Sequence, residues 1–318
     1  MATPRRRPPA LTSLGARAAF LGYKAGSAVA NALPAPIAGG LARSLAVPFA
    51  LGLRSRRLMI GRHLQRVYGG SLSGWDLEVK ITQAFDSYAR YWMESFRLSH
   101  TDRAGLEAGM SWEGVGHVEA GYAAGNGVLM ALPHLGGWDF GGAWFASAGY
   151  PATVVVESLE PPELFEWFAE LRRHVGLTVV PHGPAAGPAV LKALKRNELV
   201  GLVCDRDLER SGVQVEFFGE RTTLPAGPAT LALRTGAVLL PTAVYFQGSG
   251  HHGIVRPPIP VERSGDGLRA DVARITQLLA SELEALIRRA PEQWHLLQPN
   301  WPSDYALLAG RGGTAPLP

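Results

Sequence analysis

The chain has 318 residues, of which 47% are hydrophobic and 18% charged, so we expect a sizeable buried core and not a disordered chain. Its single cysteine, Cys204, excludes an intramolecular disulfide framework and a cysteine-based metal site, and it suits the reducing cytoplasm. The net charge of +4 is unevenly distributed. The first 75 residues hold eleven Lys and Arg and no acid, whereas the rest holds 20 Lys and Arg against 27 Asp and Glu.

The basic N-terminal segment, residues 1–75, is also apolar. Prolines, glycines and Arg43 interrupt its apolar run at 25–53, so the run predicts helices lying on a membrane surface and not a transmembrane span. Each cation near an anionic headgroup contributes about 1 kcal/mol to such binding. We therefore expect a peripheral protein on the cytoplasmic face of the cell membrane.

Two other interpretations of this segment stay open. Its helices could pack on the core with their arginines in solvent, or its first residues could form a cleaved targeting peptide. A compact apolar region leading to a cleavage site is missing, which disfavours targeting. Nucleic-acid binding is also disfavoured, because no aromatic residues are interleaved with the cations.

The rest of the chain predicts an α/β fold. An amphipathic helix is expected at 75–98, where apolar and aromatic residues recur at helical spacing. After it, short apolar runs alternate with helical patterns, as a mostly parallel central sheet flanked by helices requires. Strands are predicted at 127–132, 152–156, 177–180, 199–204 and 238–244, and helices at 138–148, 162–175, 186–196, 228–235 and 268–290. The domain is expected to span 76–310, with a flexible tail at 311–318.

One segment predicts a buried strand, a tight turn and a helix start, with His134 and Asp139 around the turn. Open α/β sheets carry reactive groups at the carboxyl ends of their strands. A bend after the strand could bring Asp139 to the imidazole, where it would accept from one ring N–H. The other ring nitrogen would then take a proton from a hydroxyl. Gly136 and Gly137 would let a substrate approach closely, and first-turn N–H groups could face an oxyanion.

A structural role is the alternative for this motif, because His and Asp at a fixed spacing are common by chance. In that case the protein would be a non-catalytic membrane-binding or lipid-carrier module. A hydrolase is disfavoured, since no G-x-S-x-G elbow occurs and Cys204 lies in an apolar strand. Nucleotide-binding glycine motifs are also missing. His251 and His252 are expected to be solvated in a glycine-rich turn, where adjacent side chains would point apart, so no metal is expected.

Three later segments, together with His134 and Asp139, carry a resemblance to a known family. They are Cys-Asp-Arg-Asp-Leu at 204–208, Phe-Phe-Gly-Glu to Leu-Pro-Ala-Gly-Pro-Ala at 217–229, and Trp-His-Leu-Leu-Gln-Pro-Asn-Trp at 294–301. From about residue 80 to 302 the chain resembles the lysophospholipid-type acyltransferase superfamily. Within it, the chain is similar to lipid A lauroyl/myristoyl acyltransferases and to phosphatidylinositol mannoside acyltransferases.

The resemblance implies a catalytic dyad of His134 and Asp139, with acyl-CoA as a substrate and no resident cofactor. It further implies that Asp205 is catalytic, at a position where the most similar relatives tend to carry Glu, so its reach toward His134 is shorter by one methylene group.

The resemblance also places Glu157 and Arg172 in an acceptor groove, although both could instead form a surface ion pair. Arg206 is a further expected contact, because it follows an apolar strand. His295 stands between acceptor contact and core packing.

The function expected from the resemblance is transfer of a long acyl chain, palmitoyl in our expectation, from acyl-CoA to a mannose hydroxyl of phosphatidylinositol mannoside. A lipid A-type or other glycolipid acceptor is the alternative. The sequence leaves open the chain length, the acceptor hydroxyl, and whether CoA or acyl carrier protein is the donor.

Overall fold

The computed structural model describes residues 14–34, 37–42, 44, 52–159 and 161–310. Its strands are β1 (Met110–Glu113), β2 (Val128–Leu132), β3 (Ala152–Val156), β4 (Leu177–Pro181), β5 (Leu199–Val203), β6 (Val213–Phe217), β7 (Glu220–Leu224), β8 (Val238–Gln247) and β9 (Gly250–Val255). Its helices are α1 (Leu14–Ala32), α2 (Arg54–Val67), α3 (Gly74–Arg97), α4 (Arg103–Ala108), α5 (Gly116–Ala123), α6 (Trp138–Ser147), α7 (Pro162–His174), α8 (Ala186–Lys195), α9 (Gly227–Thr235), α10 (Leu268–Arg288) and α11 (Pro302–Gly310).

Seven strands form one sheet in the order β1-β9-β8-β2-β5-β3-β4. All neighbouring strands are parallel except β8 and β9. The expected mostly parallel sheet with flanking helices is therefore confirmed. Strands β6 and β7 form a separate antiparallel hairpin.

Helices cover both faces of the sheet. Successive residues of the central strand β2 point to opposite faces, so they pack against different helices. Leu129 packs in a cluster with Ile275 and Leu279 of α10, whereas Val128 packs in a different cluster with Phe145 of α6. All five residues of β2 are buried. The turn after β2 is therefore held at the centre of one sheet edge.

The five predicted strands correspond to β2, β3, β4, β5 and β8, and the predicted helices to α3, α6, α7, α8, α9 and α10. The prediction for His251 and His252 was wrong, because both lie on β9, opposite Phe246 and Tyr245 of β8. His251 is buried, and its Nε2 lies 2.8 Å from the carboxylate of Glu94. The strand begins with Gly-His-His-Gly, which lacks the apolar alternation by which a pattern analysis recognises a strand.

Only part of the basic N-terminal segment belongs to the described residues. Helix α1 packs on α3 and α7 through Tyr23, whose ring centroid lies 5.2 Å from that of Trp92 and 5.4 Å from that of Phe168. Helix α2 is joined to α11 by an ion pair of 2.8 Å between Arg66 and the buried Asp304. No helix within the described ranges is long and apolar enough to cross a membrane. Residues 1–13 and the predicted tail at 311–318 lie outside those ranges.

Candidate active site

The turn after β2 carries His134 and is fixed by contacts with two distant segments. Gly136 has φ +60°, and a Cβ there would clash with the carbonyl oxygen of Val244. The backbone N–H of Gly136 donates to Gln293, and that of Gly137 donates to Val244, both at 2.9 Å. The turn thus holds the His134 side chain, 31% exposed, at the carboxyl edge of the sheet.

Asp205 is the carboxylate that holds the His134 imidazole. Its Oδ1 lies 2.6 Å from Nδ1 of His134, and its Oδ2 accepts from the backbone N–H of His134 at 3.0 Å. Oδ2 also accepts from the indole N–H of Trp294 at 2.6 Å. Asp205 follows β5, which is the parallel neighbour of β2, so the ends of the two strands meet. The aspartate reaches His134 although it is one methylene shorter than glutamate.

The charge state of this pair follows from its surroundings. Burial of Asp205 raises its pKa, but the charge and hydrogen bonds of His134 and the Trp294 N–H outweigh burial and bring the pKa below its ordinary value. An ionised Asp205 can only accept hydrogen bonds, so the proton of a neutral His134 is on Nδ1. Nε2 is then the ring nitrogen that can accept a proton from a substrate.

Asp139 has a different set of partners from the one we expected. It lies in the first turn of α6 and accepts from Arg172, with Nε to Oδ1 at 2.8 Å and a second guanidinium nitrogen to Oδ2 at 2.9 Å. The hydroxyl of Tyr91 donates to Oδ2 at 2.9 Å. The expected bond between Asp139 and a ring N–H of His134 is therefore not formed, and Asp205 holds the imidazole instead. Asp139 ties α6 to α3 and α7.

The ion pair of Asp139 and Arg172 is largely buried, with side-chain exposures of 9% and 16%. Burial lowers the pKa of Arg172, but attraction to Asp139 outweighs it and leaves the pKa above its ordinary value. Burial, followed by the charge of Asp139, raises the pKa of Tyr91 well above its ordinary value, so it remains a donor at neutral pH. Arg172 therefore forms a buried ion pair with Asp139 and not the surface ion pair with Glu157 that was the alternative.

His134 lines a cleft of about 430 Å³ at the carboxyl ends of β3 and β5. Glu157, Arg172 and Arg206 line the same cleft, and a guanidinium nitrogen of Arg206 lies 3.7 Å from a carboxylate oxygen of Glu157. Cys204 also lines it, but burial raises the pKa of its thiol and disfavours the reactive thiolate. Four of the seven predicted site residues therefore line the cleft, namely His134, Glu157, Arg172 and Arg206. Asp205 lies directly behind His134.

His295 lies beneath the turn that carries His134. Its backbone N–H donates to the carbonyl oxygen of His134 at 2.6 Å, and its Nε2 lies 2.8 Å from the hydroxyl of Ser87. Its ring packs among aromatic rings, including those of Tyr91 and Trp138, and the residue is 6% exposed. Burial, followed by the charge of His134, lowers the pKa of His295 to about 3, so the ring is neutral. Of the two roles that the sequence left open for His295, this buried position favours core packing over acceptor contact.

An apolar inner cavity of about 70 Å³ adjoins the cleft, and both are lined by Trp138, Val156 and Arg172. The cavity lies between α6 and the sheet. It runs along β5 from Val203 to Leu199, a length of about 13 Å at 3.3 Å per residue. In the described part of the chain, no three His, Cys, Asp or Glu side chains are grouped so that they could hold a metal ion.

Trp294 and Tyr91 are site residues that the sequence did not predict, although Trp294 lies in a segment that carries the resemblance. Tyr91 lies on the predicted amphipathic helix, where an aromatic residue indicates packing and nothing more. No pattern in the sequence indicated the inner cavity.

Comparisons with known proteins identify a matching family and similar sequences. The family described as bacterial lipid A biosynthesis acyltransferase matches residues 8–303. The phosphatidylinositol mannoside acyltransferase of Mycolicibacterium smegmatis is 38% identical over 299 residues, covering 92% of this chain and 94% of that protein. The protein of the same name from Mycobacterium tuberculosis is 40% identical over 226 residues, covering 70% of each chain.

An open α/β sheet with a His–Asp pair at its carboxyl edge, beside an apolar cavity, suits an enzyme that acts on acyl chains. The match extends over almost the whole chain, and the chain therefore belongs to the bacterial lipid A biosynthesis acyltransferase family. It is an acyltransferase, and the resemblance found in the sequence is confirmed.

Proposed function

We propose that the protein transfers a long fatty acyl chain, palmitoyl in our expectation, from acyl-CoA to a mannose hydroxyl of phosphatidylinositol mannoside. The names of the relatives from Mycolicibacterium smegmatis and Mycobacterium tuberculosis support this acceptor. The observation that carries the chemistry is the distance of 2.6 Å between His134 Nδ1 and Asp205 Oδ1, at a cleft that adjoins an apolar cavity.

In this proposal, Nε2 of His134 removes the proton of the acceptor hydroxyl as its oxygen attacks the thioester carbonyl carbon. The carbon–sulfur bond then breaks, the ester forms, and the thiolate of CoA takes the proton back from the imidazolium. Asp205 orients the ring and stabilises its positive charge. The dyad is therefore His134 and Asp205, while Asp139 positions the helix that follows the turn.

The cleft provides polar contacts for the acceptor. Glu157 and Arg206 face it from the ends of β3 and β5, and carboxylate and guanidinium groups bind hydroxyl groups through charge-assisted hydrogen bonds. The planar guanidinium of Arg206 is also suited to a phosphate oxygen pair. The inner cavity is largely apolar and is lined by Trp138, whose ring centroid lies 5.8 Å from that of His134, so it suits the alkyl part of the donor.

Membrane association is supported by the exposed surface near α1. Its exposed large apolar side chains include Leu21 at 65%, Val29 at 45% and Ile37 at 57%, and Trp75 at the start of α3 is 80% exposed. An apolar groove of about 920 Å³ lies between α1 and α3. Apolar side chains beside a basic segment suit insertion into an anionic leaflet, which here is the cytoplasmic face of the cell membrane.

The test incubates the purified protein with radiolabelled palmitoyl-CoA and a panel of phosphatidylinositol mannosides, a lipid A precursor and other glycolipids. We expect label on the mannosides and no transfer by the His134→Ala variant, which should keep its fold because the buried Asp205 still accepts from the backbone N–H of residue 134 and from the indole N–H of Trp294. Label on the lipid A precursor alone would refute phosphatidylinositol mannoside as the acceptor. Transfer only from an acyl carrier protein would refute acyl-CoA as the donor. Lipid binding without transfer would favour a carrier.

A further inference from the structure

Two glycines on opposite walls of the inner cavity are not required by packing. Gly142 lies within α6 and Gly201 within β5, and both line the cavity. A Cβ on Gly201 would lie 3.4 Å from Val154, and a Cβ on Gly142 would lie 3.5 Å from Leu177, which are ordinary contact distances. By contrast, a Cβ on the neighbouring Gly141 would lie 2.7 Å from a side-chain carbon of Val244. Of these three glycines, only Gly141 is needed for close packing.

Neither backbone position favours glycine. Glycine destabilises the interior of a helix or a strand, because it loses more conformational freedom on folding than other residues. Gly142 and Gly201 have ordinary helical and extended conformations, so a positive φ does not explain them. A glycine within a strand often marks a place where a ligand approaches the backbone. The effect that both glycines share is the space left open in the cavity.

We propose that Gly142 and Gly201 determine the length of the acyl chain that the enzyme accepts, by leaving the inner cavity open for the alkyl tail. This inference rests on the proposed function, in which the cavity holds the acyl chain. It assigns a specificity role to two residues that make no contact with the reacting atoms.

The positions of the two glycines determine which chains each one affects. Gly201 lies two residues from Val203, the last residue of β5, so it is about 7 Å along the cavity from the cleft. Gly142 faces Leu177, the first residue of β4, and therefore lies nearer to the far end. A side chain at 201 should exclude medium and long chains, whereas one at 142 should exclude only the longest.

The experiment measures kcat/KM with palmitoyl-, lauroyl- and octanoyl-CoA for the wild type, Gly201→Val and Gly142→Leu. The matched control is Gly116→Val on the exposed start of α5, where a Cβ has no neighbour within 4 Å. We expect the palmitoyl-to-octanoyl ratio to fall by about 10- to 200-fold in Gly201→Val, since poor fit of a single methylene group costs that much discrimination. Gly142→Leu should lower the palmitoyl-to-lauroyl ratio, and the control should keep both ratios.

Unchanged ratios in a folded Gly201→Val variant would overturn the inference. If that variant does not fold, Gly201→Ala and Gly142→Ala decide, because their Cβ atoms fit without a clash. Binding of palmitate against octanoate, measured as the shift in melting temperature, gives the same comparison without turnover. A wild type that transfers no acyl chain but shows the ratio change in binding refutes the proposed function alone. A wild type that transfers, with variants that keep its chain preference, refutes only the role of the glycines.

Discussion

Replacing Asp205 by asparagine should abolish most of the activity through the tautomer of His134. Two donors point at Oδ2, the backbone N–H of His134 at 3.0 Å and the indole N–H of Trp294 at 2.6 Å. In the Asp205→Asn variant the amide oxygen must take this place, so the amide NH₂ group faces Nδ1. Nδ1 then has to accept, and the proton of the neutral ring moves to Nε2. The nitrogen that should remove the hydroxyl proton is no longer a base.

We expect kcat to fall by about 10²- to 10⁴-fold, the range for losing a general base or its orienting carboxylate. The assay is initial-rate transfer from radiolabelled palmitoyl-CoA, with circular dichroism as the check on folding. Asp139→Asn is the matched comparison, because it makes the same chemical change five residues from His134. It removes the charge paired with the buried Arg172 and should cost roughly 3 kcal/mol of stability, with a smaller loss of kcat in the folded fraction.

The reverse pattern would refute this reasoning. If the folded Asp139→Asn variant loses 10²-fold or more in kcat while Asp205→Asn stays within a few-fold of the wild type, Asp139 is the partner of His134 during turnover. The pair seen at 2.6 Å would then be structural.

Three further predictions concern stability and membrane binding. Arg172→Ala should lower the free energy of unfolding by roughly 3 to 5 kcal/mol, because it leaves Asp139 buried without its cation; an unchanged urea midpoint would contradict this. Leu21→Glu and Val29→Glu should each weaken binding to anionic vesicles at least about tenfold without lowering the melting temperature, as vesicle sedimentation at low and high salt can test. The folded pKa of His295 is about 3, below its unfolded value, so the unfolded state binds more protons between pH 3 and about 6.5 and stability should fall as pH drops through this window. His295→Gln should flatten that part of the pH profile, and an equally steep profile would show that another group causes it.

The sequence by itself determined the features that depend on local pattern. The buried apolar run of β2 and the glycines after it placed His134 at a strand end, and the later strands followed from similar runs. The strands β1, β6, β7 and β9 were missed. Strand β1 has only four residues, and β9 begins with Gly-His-His-Gly, which shows no apolar alternation. The basic charge of the first 75 residues was also visible, although its consequence for membrane binding stays a prediction.

The tertiary structure decided which carboxylate His134 meets. Asp139 is five residues away along the chain, but it lies on the first turn of α6 and is held by Arg172 and Tyr91. Asp205 is 71 residues away, yet β5 lies beside β2 and brings it to 2.6 Å. The inner cavity likewise lies between α6 and several strands of the sheet, and both α6 and β5 carry a glycine where a side chain would fill the space. Spacing along a chain reports only local geometry, whereas contacts between strand ends and the space between layers depend on the order in which strands assemble into the sheet.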